Sequence, residues 1–383
     1  MIQMSKKVLI TATELNLVQF WVYHIENLLK NGYSVDIVCS HVGGKLSELK
    51  NALSTFAGNI KLTVVDLKRS PLSPHNIHGS IQMNDYLKKN KYDYIITNEP
   101  VMGMVTRFAA CRQRKNGAKV IYFAHGFHFW KGAPALNWIL FFPMEKLASF
   151  FTDTIVTMNR EDFSLAQKRF TNANIKYIHG IGIETGKFLF SEDIRNKKRK
   201  ELGLTESDVM IFSANELTER KNVIFALEII NRLIEKGHKN IKYFVRGQGP
   251  LENKMREYIE RKNISDNVFL LGYGKDIFEM NCAADVFLFT SKQEGLPVAV
   301  MEAMSCGVPC VVSNIRGVTD LIKNGIGGYV CKLGETDSFA SAIEKIIDSA
   351  DKTELTAENS KILKPYGRKD VFSDILKILR EEP

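Results

Sequence analysis

Short apolar runs alternate with helix-like stretches along the first half of the chain. The stretch QFWVYHIENLLKNG (19–32) is typical, because its aromatic and aliphatic residues recur at helical spacing and Gly32 fits a C-terminal cap. This alternation predicts a parallel sheet covered by helices on both faces. The predicted strands are KVLITA (7–12), SVDIVCS (34–40), KLTVVDL (61–67), YDYIITN (92–98), AKVIYFAH (118–125) and DTIVTM (153–158).

The periodicity weakens after Gly180, and a second alternating series begins near residue 209. The segment 180–207 holds Gly180, Gly182, Gly186 and the basic cluster RNKKRK (195–200), so we interpret it as a solvated linker between two doubly wound α/β domains. An amphipathic helical pattern, GRKDVFSDILKILREEP (367–383), closes the chain. The strands predicted in the second series are VMIFSA (209–214), IKYFVRG (241–247), NVFLLG (267–272), ADVFLFT (284–290), PCVVSN (309–314) and GGYVCK (327–332).

Composition supports two globular domains. The chain has 383 residues, which is long for one core, with 45% hydrophobic and 25% charged residues. Its net charge of +9 favours acidic partners such as nucleotides or an anionic membrane surface. Nucleic-acid binding is disfavoured, because the basic and aromatic residues form no evident stripe.

The six cysteines include no CxxC pair, and most lie in apolar runs, so we interpret them as reduced core residues of a cytoplasmic protein. The spacing of Cys306 and Cys310 would suit a metal ligand pair. However, Gly307 and Pro309 mark a helix-to-strand turn there, and no histidine is near in sequence. A metal site is therefore disfavoured.

Targeting and membrane signals are weak. The opening segment MIQMSKKVLI is too short for a signal peptide and lacks a cleavage site. No apolar run reaches the roughly 18 residues of a spanning helix. The most apolar run, Trp138 to Phe151, is interrupted by Pro143, Glu145 and Lys146, and it predicts either a core helix or a helix that also touches a membrane surface.

Common nucleotide-binding loops are absent from the sequence. Neither domain opens with G-x-G-x-x-G, and GIGIETG (180–186) has a different glycine spacing, which disfavours an ordinary nicotinamide fold. No Walker P-loop occurs.

Two glutamates stand eight positions apart in SKQEGLPVAVMEAMSCGVPCVVSN (291–314). Pro297 fits the first turn of a helix that would run to Ser305 and close at Gly307. Glu294 then precedes this helix and Glu302 lies inside it, about 12 Å away if every step were helical. This geometry disfavours a retaining glycosidase, whose two carboxylates are about 5 Å apart.

An extended ligand laid along the helix start fits the two glutamates better. The free N–H groups near residues 295–298 would meet an anion such as a diphosphate. Glu302 would accept two hydrogen bonds from a ribose diol, and Glu294 would reach hydroxyls at the other end of the ligand. A nucleotide-sugar has this order of groups. An E-x7-E spacing also arises by chance, but the strand, S-x-x-E-G-L-P, helix, C-G-V-P, strand context favours binding.

This segment resembles the donor-site signature of glycosyltransferase family 4, enzymes of the GT-B fold. The flanking pattern matches in GQGPLENKM (247–255), NVFLLGYGKDIFEMNCAADVFLFTS (267–291) and GVTDLIKNGIGGYV (317–330). The segment FAHGFHFWKGAPALNWILFFPMEKLASFFTDTIVTMNREDF (123–163) is similar to bacterial exopolysaccharide and capsule transferases. The resemblance implies two Rossmann-like parallel-sheet domains facing a central cleft. They would be an acceptor domain (1–184) and a donor domain (185–364), with a C-terminal helix (365–383) packing back on the first.

The resemblance also implies an activity. A sugar would pass with retention of configuration from a nucleotide-sugar, with uridine as the expected base, to a polyprenyl-diphosphate-linked sugar in exopolysaccharide, capsule or O-antigen assembly. No cofactor is implied. The protein would be cytoplasmic, with a possible peripheral contact on the inner face of the membrane.

The resemblance also implies roles for the residues that match positions of the family's motifs. Glu294 would contact the donor sugar, Glu302 the ribose, and His125 the reacting sugar. The donor site would also include Gly272 and the turn beside the diphosphate, formed by Gly295, Leu296, Pro297 and Val298.

One family motif departs from the pattern here. Many members have G-R-x-x-x-x-K-G, whereas this chain reads ANELTERKN (214–222). Lys221 fits the lysine, but Glu216 stands where the arginine is expected. Arg220 would supply the missing charge, although adjacent residues at a helix start are expected to point apart.

The acceptor side is expected in the first domain, in a loop at 11–20 (TATELNLVQF) and in the segment 126–142. Asn16, Phe127, His128 and Lys131 are the acceptor candidates. An aromatic and basic surface at a membrane interface would be formed by Phe127, Phe129, Trp130, Lys131 and Trp138. Alternatively, half of these aromatic residues would belong to the core.

Charge considerations predict catalysis without a metal. No D-x-D triplet occurs, and Lys221, Arg220 and the helix start would balance the charge of the leaving diphosphate. Two alternatives stay open. One is a nucleotide-sugar epimerase or hydrolase on the same scaffold, and the other is an inactive donor-binding subunit.

Overall fold

A computed structural model describes residues 5–56, 60–186, 189–349 and 353–381. Residues 1–4 of the opening segment, residues 187–188 of the expected linker and residues 382–383 of the predicted C-terminal helix lie outside this description. The chain divides into two compact units, Met1–Gly182 with Arg368–Pro383, and Ile183–Gly367.

The first unit contains a parallel sheet that, in the described part of the chain, has seven strands in the order β3-β2-β1-β4-β5-β6-β7. Its order reverses between β1 and β4, as expected of a doubly wound fold. Its elements are β1 (Lys7–Glu14), α1 (Leu15–Lys30), β2 (Ser34–Val42), α2 (Leu46–Leu53), β3 (Ile60–Val64), α3 (His75–Lys89), β4 (Tyr94–Asn98), α4 (Pro100–Ala109), α5 (Cys111–Lys115), β5 (Lys119–Ala124), α6 (Ala135–Ser149), β6 (Thr154–Thr157), α7 (Arg160–Arg169) and β7 (Asn174–Tyr177).

The second unit repeats this architecture with seven described strands in the order β10-β9-β8-β11-β12-β14-β13. Its elements are α8 (Glu192–Glu201), β8 (Val209–Ala214), α9 (Val223–Glu235), β9 (Ile241–Arg246), α10 (Glu252–Arg261), β10 (Val268–Leu270), α11 (Ile277–Ala283), β11 (Val286–Phe289), α12 (Val298–Ser305), β12 (Cys310–Ser313), β13 (Lys323–Asn324), β14 (Gly327–Cys331), α13 (Thr336–Ile347), α14 (Thr353–Thr356) and α15 (Asn359–Leu363). The last helix, α16 (Arg368–Arg380), packs against α1 of the first unit.

The prediction of two doubly wound α/β domains is confirmed. Every strand predicted from an apolar run is present, because strands of a parallel sheet are buried on both faces and keep apolar residues throughout. Two short strands were missed. The sequence of β7 (NIKY) is half polar, and β13 has two exposed residues, so neither forms an apolar run.

The expected loop at 11–20 does not exist. Strand β1 continues to Glu14, and α1 begins at Leu15, four residues before the predicted helix start at 19. Helix α1 buries Trp21, His24 and four aliphatic side chains on one face, so packing favours the earlier start. Gly32 follows the helix with a left-handed φ of 81°, as predicted for a cap.

The interpretation of RNKKRK (195–200) as a solvated linker is wrong. These residues form most of α8, which packs against α11. Arg195 and Arg199 pair with Asp285 at 2.7 and 3.1 Å, and Lys198 pairs with Asp276 at 2.7 Å. The acidic partners are 78 to 90 residues away in sequence, so a local charge pattern could not reveal the pairing.

The apolar run Trp138 to Phe151 lies mostly in α6. A helix buried entirely in the core was one of the two alternatives predicted for it, and this alternative is wrong because one face of α6 is exposed. Leu136, Ile139, Leu140 and Leu147 are each at least 49% exposed. Within the described ranges, no helix is long and apolar enough to cross a membrane.

All six cysteines are free, and Cys111 alone is not buried. Where side chains are described, no group of three His, Cys, Asp or Glu residues is arranged to hold a metal ion.

Candidate functional site

Glu294 lies in the loop after β11, and its carboxylate accepts hydrogen bonds from three side chains. Its Oε1 accepts hydrogen bonds from Lys221 Nζ at 2.7 Å, Arg220 Nη1 at 3.0 Å and Ser291 Oγ at 2.6 Å. The side chain of Glu294 is 10% exposed, so two nearby cations compensate a largely buried charge. The Lys221 ammonium also lies 5.3 Å from the centre of the Phe289 ring.

Arg220 and Lys221 converge on one carboxylate, contrary to the expectation that they point apart. The helix starts only at Val223, and the two residues lie in the preceding turn. That turn ends at Asn222, whose left-handed φ of 57° redirects the chain into α9. Lys292 N donates to Arg220 O at 2.8 Å, which joins the turn to the loop that carries Glu294.

Helix α12 begins one residue later than predicted. Pro297 is its N-cap rather than a first-turn residue, and Gly307 follows the helix with a φ of 69°. Pro297, the N-cap residue, makes no side-chain hydrogen bond to the helix start. The first N–H groups of a helix, here from Val298 onward, have no carbonyl partner within the helix and are suited to binding an anion. Glu302, half-buried, is the fifth residue of this helix.

Glycines set the backbone around this loop. A Cβ on Gly317, where φ is 75°, would lie 2.1 Å from the carbonyl oxygen of Gly295, so the Gly295–Leu296 backbone rests directly on it. Gly272 also has a positive φ, of 67°, and its carbonyl accepts a hydrogen bond from Gly247 N at 3.0 Å. These contacts fix the shape of the loops without using side chains.

Glu216 stands at the position where the family motif has an arginine. As an acid it cannot supply that positive charge, and its side chain lies at the surface. Its side chain is 70% exposed and 3.9 Å from Arg220 Nη2. Arg220 therefore has an acid on either side, Glu216 and Glu294, with the closer contact to Glu294.

The first unit has a cavity of about 350 Å³ at the carboxyl ends of its central strands. In doubly wound folds, ligands bind at this edge, near the point where the strand order reverses. The polar residues in its wall are Thr13, Glu14, Asn16, Arg69, Glu99, Tyr122, His125 and His128, and Phe20, Val101 and Phe141 are among the apolar ones.

His125 is held by Asn98 in one tautomer. Asn98 Nδ2 donates to Thr11 O at 3.1 Å, and Asn98 Oδ1 accepts from Trp21 Nε1 at 3.2 Å. The same oxygen lies 2.9 Å from His125 Nε2, which must therefore be the protonated nitrogen. Burial lowers the pKa of His125 to about 4, so the ring is neutral at pH 7 and its Nδ1 is an acceptor.

Glu99 was missed by the sequence analysis. It follows β4 with a φ of 63°, and its Oε2 accepts hydrogen bonds from Thr13 N at 2.7 Å and Glu14 N at 3.3 Å. Burial, and then the charge of Glu14, raises the pKa of Glu99 to about 7. A glutamate between a buried strand and a helix-starting proline, Pro100, was the available sequence signal.

The acceptor candidates separate into two groups. Asn16 and His128 line the cavity, and the His128 ring lies 4.7 Å from Phe141. Phe127 is 2% exposed and stacks on Phe129 in the core, so its side chain is not part of the cavity wall. Lys131 is exposed outside the cavity, and its backbone N–H donates to Glu161.

Comparison with known proteins identifies the family. Residues 18–180 match the family described as Glycosyltransferase Family 4, and residues 194–369 match Glycosyl transferases group 1. EpsD of Bacillus subtilis, assigned as a glycosyltransferase, is 34% identical over 76% of this chain and 78% of its own length. The chain belongs to glycosyltransferase family 4. The resemblance seen in the sequence is thereby confirmed.

Other similar proteins agree with this family and with the GT-B fold. A UDP-Gal:α-D-GlcNAc-diphosphoundecaprenol α-1,3-galactosyltransferase of Escherichia coli is 28% identical over 84% of this transferase and 82% of its own length. The crystal structure of Anabaena HepE with UDP and glucose has a TM-score of 0.78, at 17% identity, covering 98% of this chain and 100% of HepE. The pneumococcal O-GlcNAc transferase GtfA, in complex with UDP and GlcNAc, has a TM-score of 0.75 at 12% identity, covering 98% and 99%.

Proposed function

We propose that this glycosyltransferase moves a sugar, with retention, from a UDP-sugar to a polyprenyl-diphosphate-linked sugar in exopolysaccharide, capsule or O-antigen assembly. The observation that carries the proposal is the cluster of Lys221, Arg220 and Ser291 around Glu294 beside the open start of α12. The galactosyltransferase relative, named for a diphosphoundecaprenol-linked acceptor, supports this class of acceptor. HepE and GtfA, solved with UDP, support the choice of base.

In the second unit, the donor would lie along the loop and the helix start. Glu302 would hold the ribose, the N–H groups of α12 would hold the diphosphate, and Glu294 would hold hydroxyls of the sugar. The three ammonium hydrogens of Lys221 allow it to keep Glu294 in place and also to donate to a phosphate oxygen. The backbone of Gly295, Leu296, Pro297 and Val298, with Gly272 nearby, would shape the turn.

Departure of the diphosphate needs positive charge at the leaving group. Lys221, Arg220 and the dipole of α12 would supply it, so the proposal includes catalysis without a metal ion. The ion pairs of Glu294 with Lys221 and Arg220 would keep all three side chains oriented before the donor binds. This orientation would reduce the entropy lost when the reactive complex forms.

In the first unit, the cavity would take the sugar end of the acceptor. Asn16 and His128 would hydrogen-bond its hydroxyls, together with Glu14 and Glu99. His125, neutral and fixed by Asn98, would contact the reacting sugar through its acceptor nitrogen. Phe127 and Lys131 are left out of this contact set because neither side chain lines the cavity.

The test is release of nucleoside diphosphate from a panel of UDP- and GDP-sugars, with EDTA present, with and without a lipid-linked sugar acceptor. We expect release that depends on the acceptor, resists EDTA and drops in Glu302→Ala. Release without acceptor would instead indicate a hydrolase or epimerase. Donor binding without turnover on any acceptor would indicate the inactive subunit, and no binding of any nucleotide-sugar would refute the donor site.

A further inference from the structure

Helix α6 turns an apolar stripe toward solvent. Apart from the neighbours Ile139 and Leu140, successive members of the stripe are three or four residues apart. This is the spacing of one helix face, so they form a continuous row about 22 Å long. The members of the α6 stripe, with their exposed fractions, are Leu136 (62%), Ile139 (68%), Leu140 (49%), Met144 (45%), Leu147 (50%) and the adjoining Phe150 (52%).

The opposite face of α6 packs on the first unit through Trp138 and Phe142, and it also carries a buried charge. Glu145 forms a two-pronged ion pair with Arg107 of α4, with three N–O distances of 2.9 to 3.1 Å. Arg107 is 0% exposed and lies 4.0 Å from the centre of the Tyr122 ring. Helix α6 therefore places a paired charge on its inner face while six large apolar side chains at and beside it are exposed. The ion pair fixes the rotation of the helix that exposes the stripe.

Basic groups surround the C-terminal end of the stripe. Arg114 of α5 donates to Phe150 O at 2.8 Å, and its neighbours Arg112 and Lys115 are exposed. Lys146 donates to Arg169 O, and its ammonium lies 6.0 Å from the Phe150 ring. The acids Asp153 and Glu145 are paired with Arg114 and Arg107, and Arg112, Lys115 and Lys146 add further positive charge at this end. Anionic headgroups would complement this charge.

The shape of the stripe favours a lipid surface over another protein. A row one helix wide and about 22 Å long offers a few hundred Å², whereas a standard protein interface buries about 800 Å² per partner. An amphipathic helix lying in a membrane interface needs only its own apolar face and basic flanks.

We propose that α6 is a membrane-docking helix, with its stripe inserted below the headgroups of an anionic phospholipid surface and the basic end in contact with those headgroups. Phe141 of the same helix lines the acceptor cavity and lies beside His128. Docking through α6 therefore brings the cavity to the membrane surface, where a lipid-linked sugar is confined. This last step rests on the proposed function, but docking itself does not.

The test is flotation of the full chain with vesicles of phosphatidylglycerol and phosphatidylcholine, and with phosphatidylcholine alone. We expect at least tenfold stronger partition onto the anionic vesicles. Ile139→Glu/Leu147→Glu should lower that partition at least tenfold, since both side chains are exposed and the change leaves the core intact. The control, Tyr273→Glu/Ile326→Glu, adds the same charge at exposed apolar positions of the second unit and should stay within twofold of wild type.

Equal flotation of the stripe variant and wild type, or no flotation of wild type, would overturn the proposal. A wild-type dimer that the stripe variant converts to monomer, without vesicle binding, would assign the stripe to a second copy instead. Transfer to a water-soluble acceptor analogue separates this test from that of the function. The stripe variant should retain such transfer, whereas failure of wild type in that assay would concern the proposed function alone.

Discussion

Lys221 and Glu294, 73 residues apart in sequence, are joined by a hydrogen bond of 2.7 Å between Nζ and Oε1. The side chains are 15% and 10% exposed, so the pair is shielded from water more than a surface ion pair. It unites the turn before α9 with the loop before α12, and both elements are placed at the proposed donor site.

Lys221→Met should reduce sugar transfer strongly. The change removes a cation from the carboxylate and from the expected position of the diphosphate, so we expect kcat/KM to fall by about 100-fold or more. Lys292→Met is the matched control, because Lys292 is exposed in the same loop and is outside the cluster. Similar kinetics of the two variants would remove Lys221 from the site.

Gly317→Ala should disturb the donor loop more than Gly307→Ala does. Both glycines have left-handed φ values, 75° and 69°, so both substitutions carry a backbone cost of about 1–2 kcal/mol. At Gly317 the new Cβ would also meet Gly295 O at 2.1 Å, whereas nothing lies within 4 Å at Gly307. We expect a lower melting temperature and weaker UDP binding for Gly317→Ala than for Gly307→Ala, measured by calorimetry. Equal values would mean that Gly317 does not support the loop.

Glu99 should make stability depend on pH. Its pKa rises from 4.5 to about 7 on folding, through burial and then the Glu14 charge. Because the folded-state pKa is the higher one, its contribution to stability is complete below about pH 4.5 and is lost as the pH rises through 7.

The measurement compares the melting temperatures of wild type and Glu99→Gln from pH 5 to pH 8. The neutral glutamine keeps an oxygen for Thr13 N, so the variant should melt at about the same temperature as wild type near pH 5. At pH 8 it should melt at a higher temperature, which corresponds to a gain of about 1–3 kcal/mol in the free energy of unfolding. Glu48→Gln, at a side chain that is 60% exposed, should show no such trend. A difference that is constant across this range would contradict the assignment to Glu99.

Substitutions of the buried pair Arg107 and Glu145 should have non-additive effects on stability. Removing either partner leaves a buried charge uncompensated, so Arg107→Leu or Glu145→Leu should each destabilise by about 3–5 kcal/mol. The double variant should lose less than the sum of the two, and urea unfolding of all four proteins measures the coupling. Additive losses would show that the pair does not hold α6.

Much of the fold could be predicted from the sequence, because a parallel sheet buried on both faces requires an apolar run for each strand. The same logic fails where the run is short or polar, as in β7 and β13. Sequence patterns also fail for α8. Its Arg195, Lys198 and Arg199 form a charged run typical of a solvated segment, but in the folded protein they pair with Asp276 and Asp285 from distant parts of the chain.

The site shows the same division. The sequence alone determined that Glu294 precedes a helix that contains Glu302, since glycine, proline and helix-forming residues specify that turn locally. Only the tertiary structure decided that Arg220 and Lys221 meet at Glu294, and that Glu99 enters the cavity of His125. Those relations depend on strands that are adjacent in the sheet but remote in sequence, and on burial, which changes the charge state of a side chain without changing the letter that encodes it.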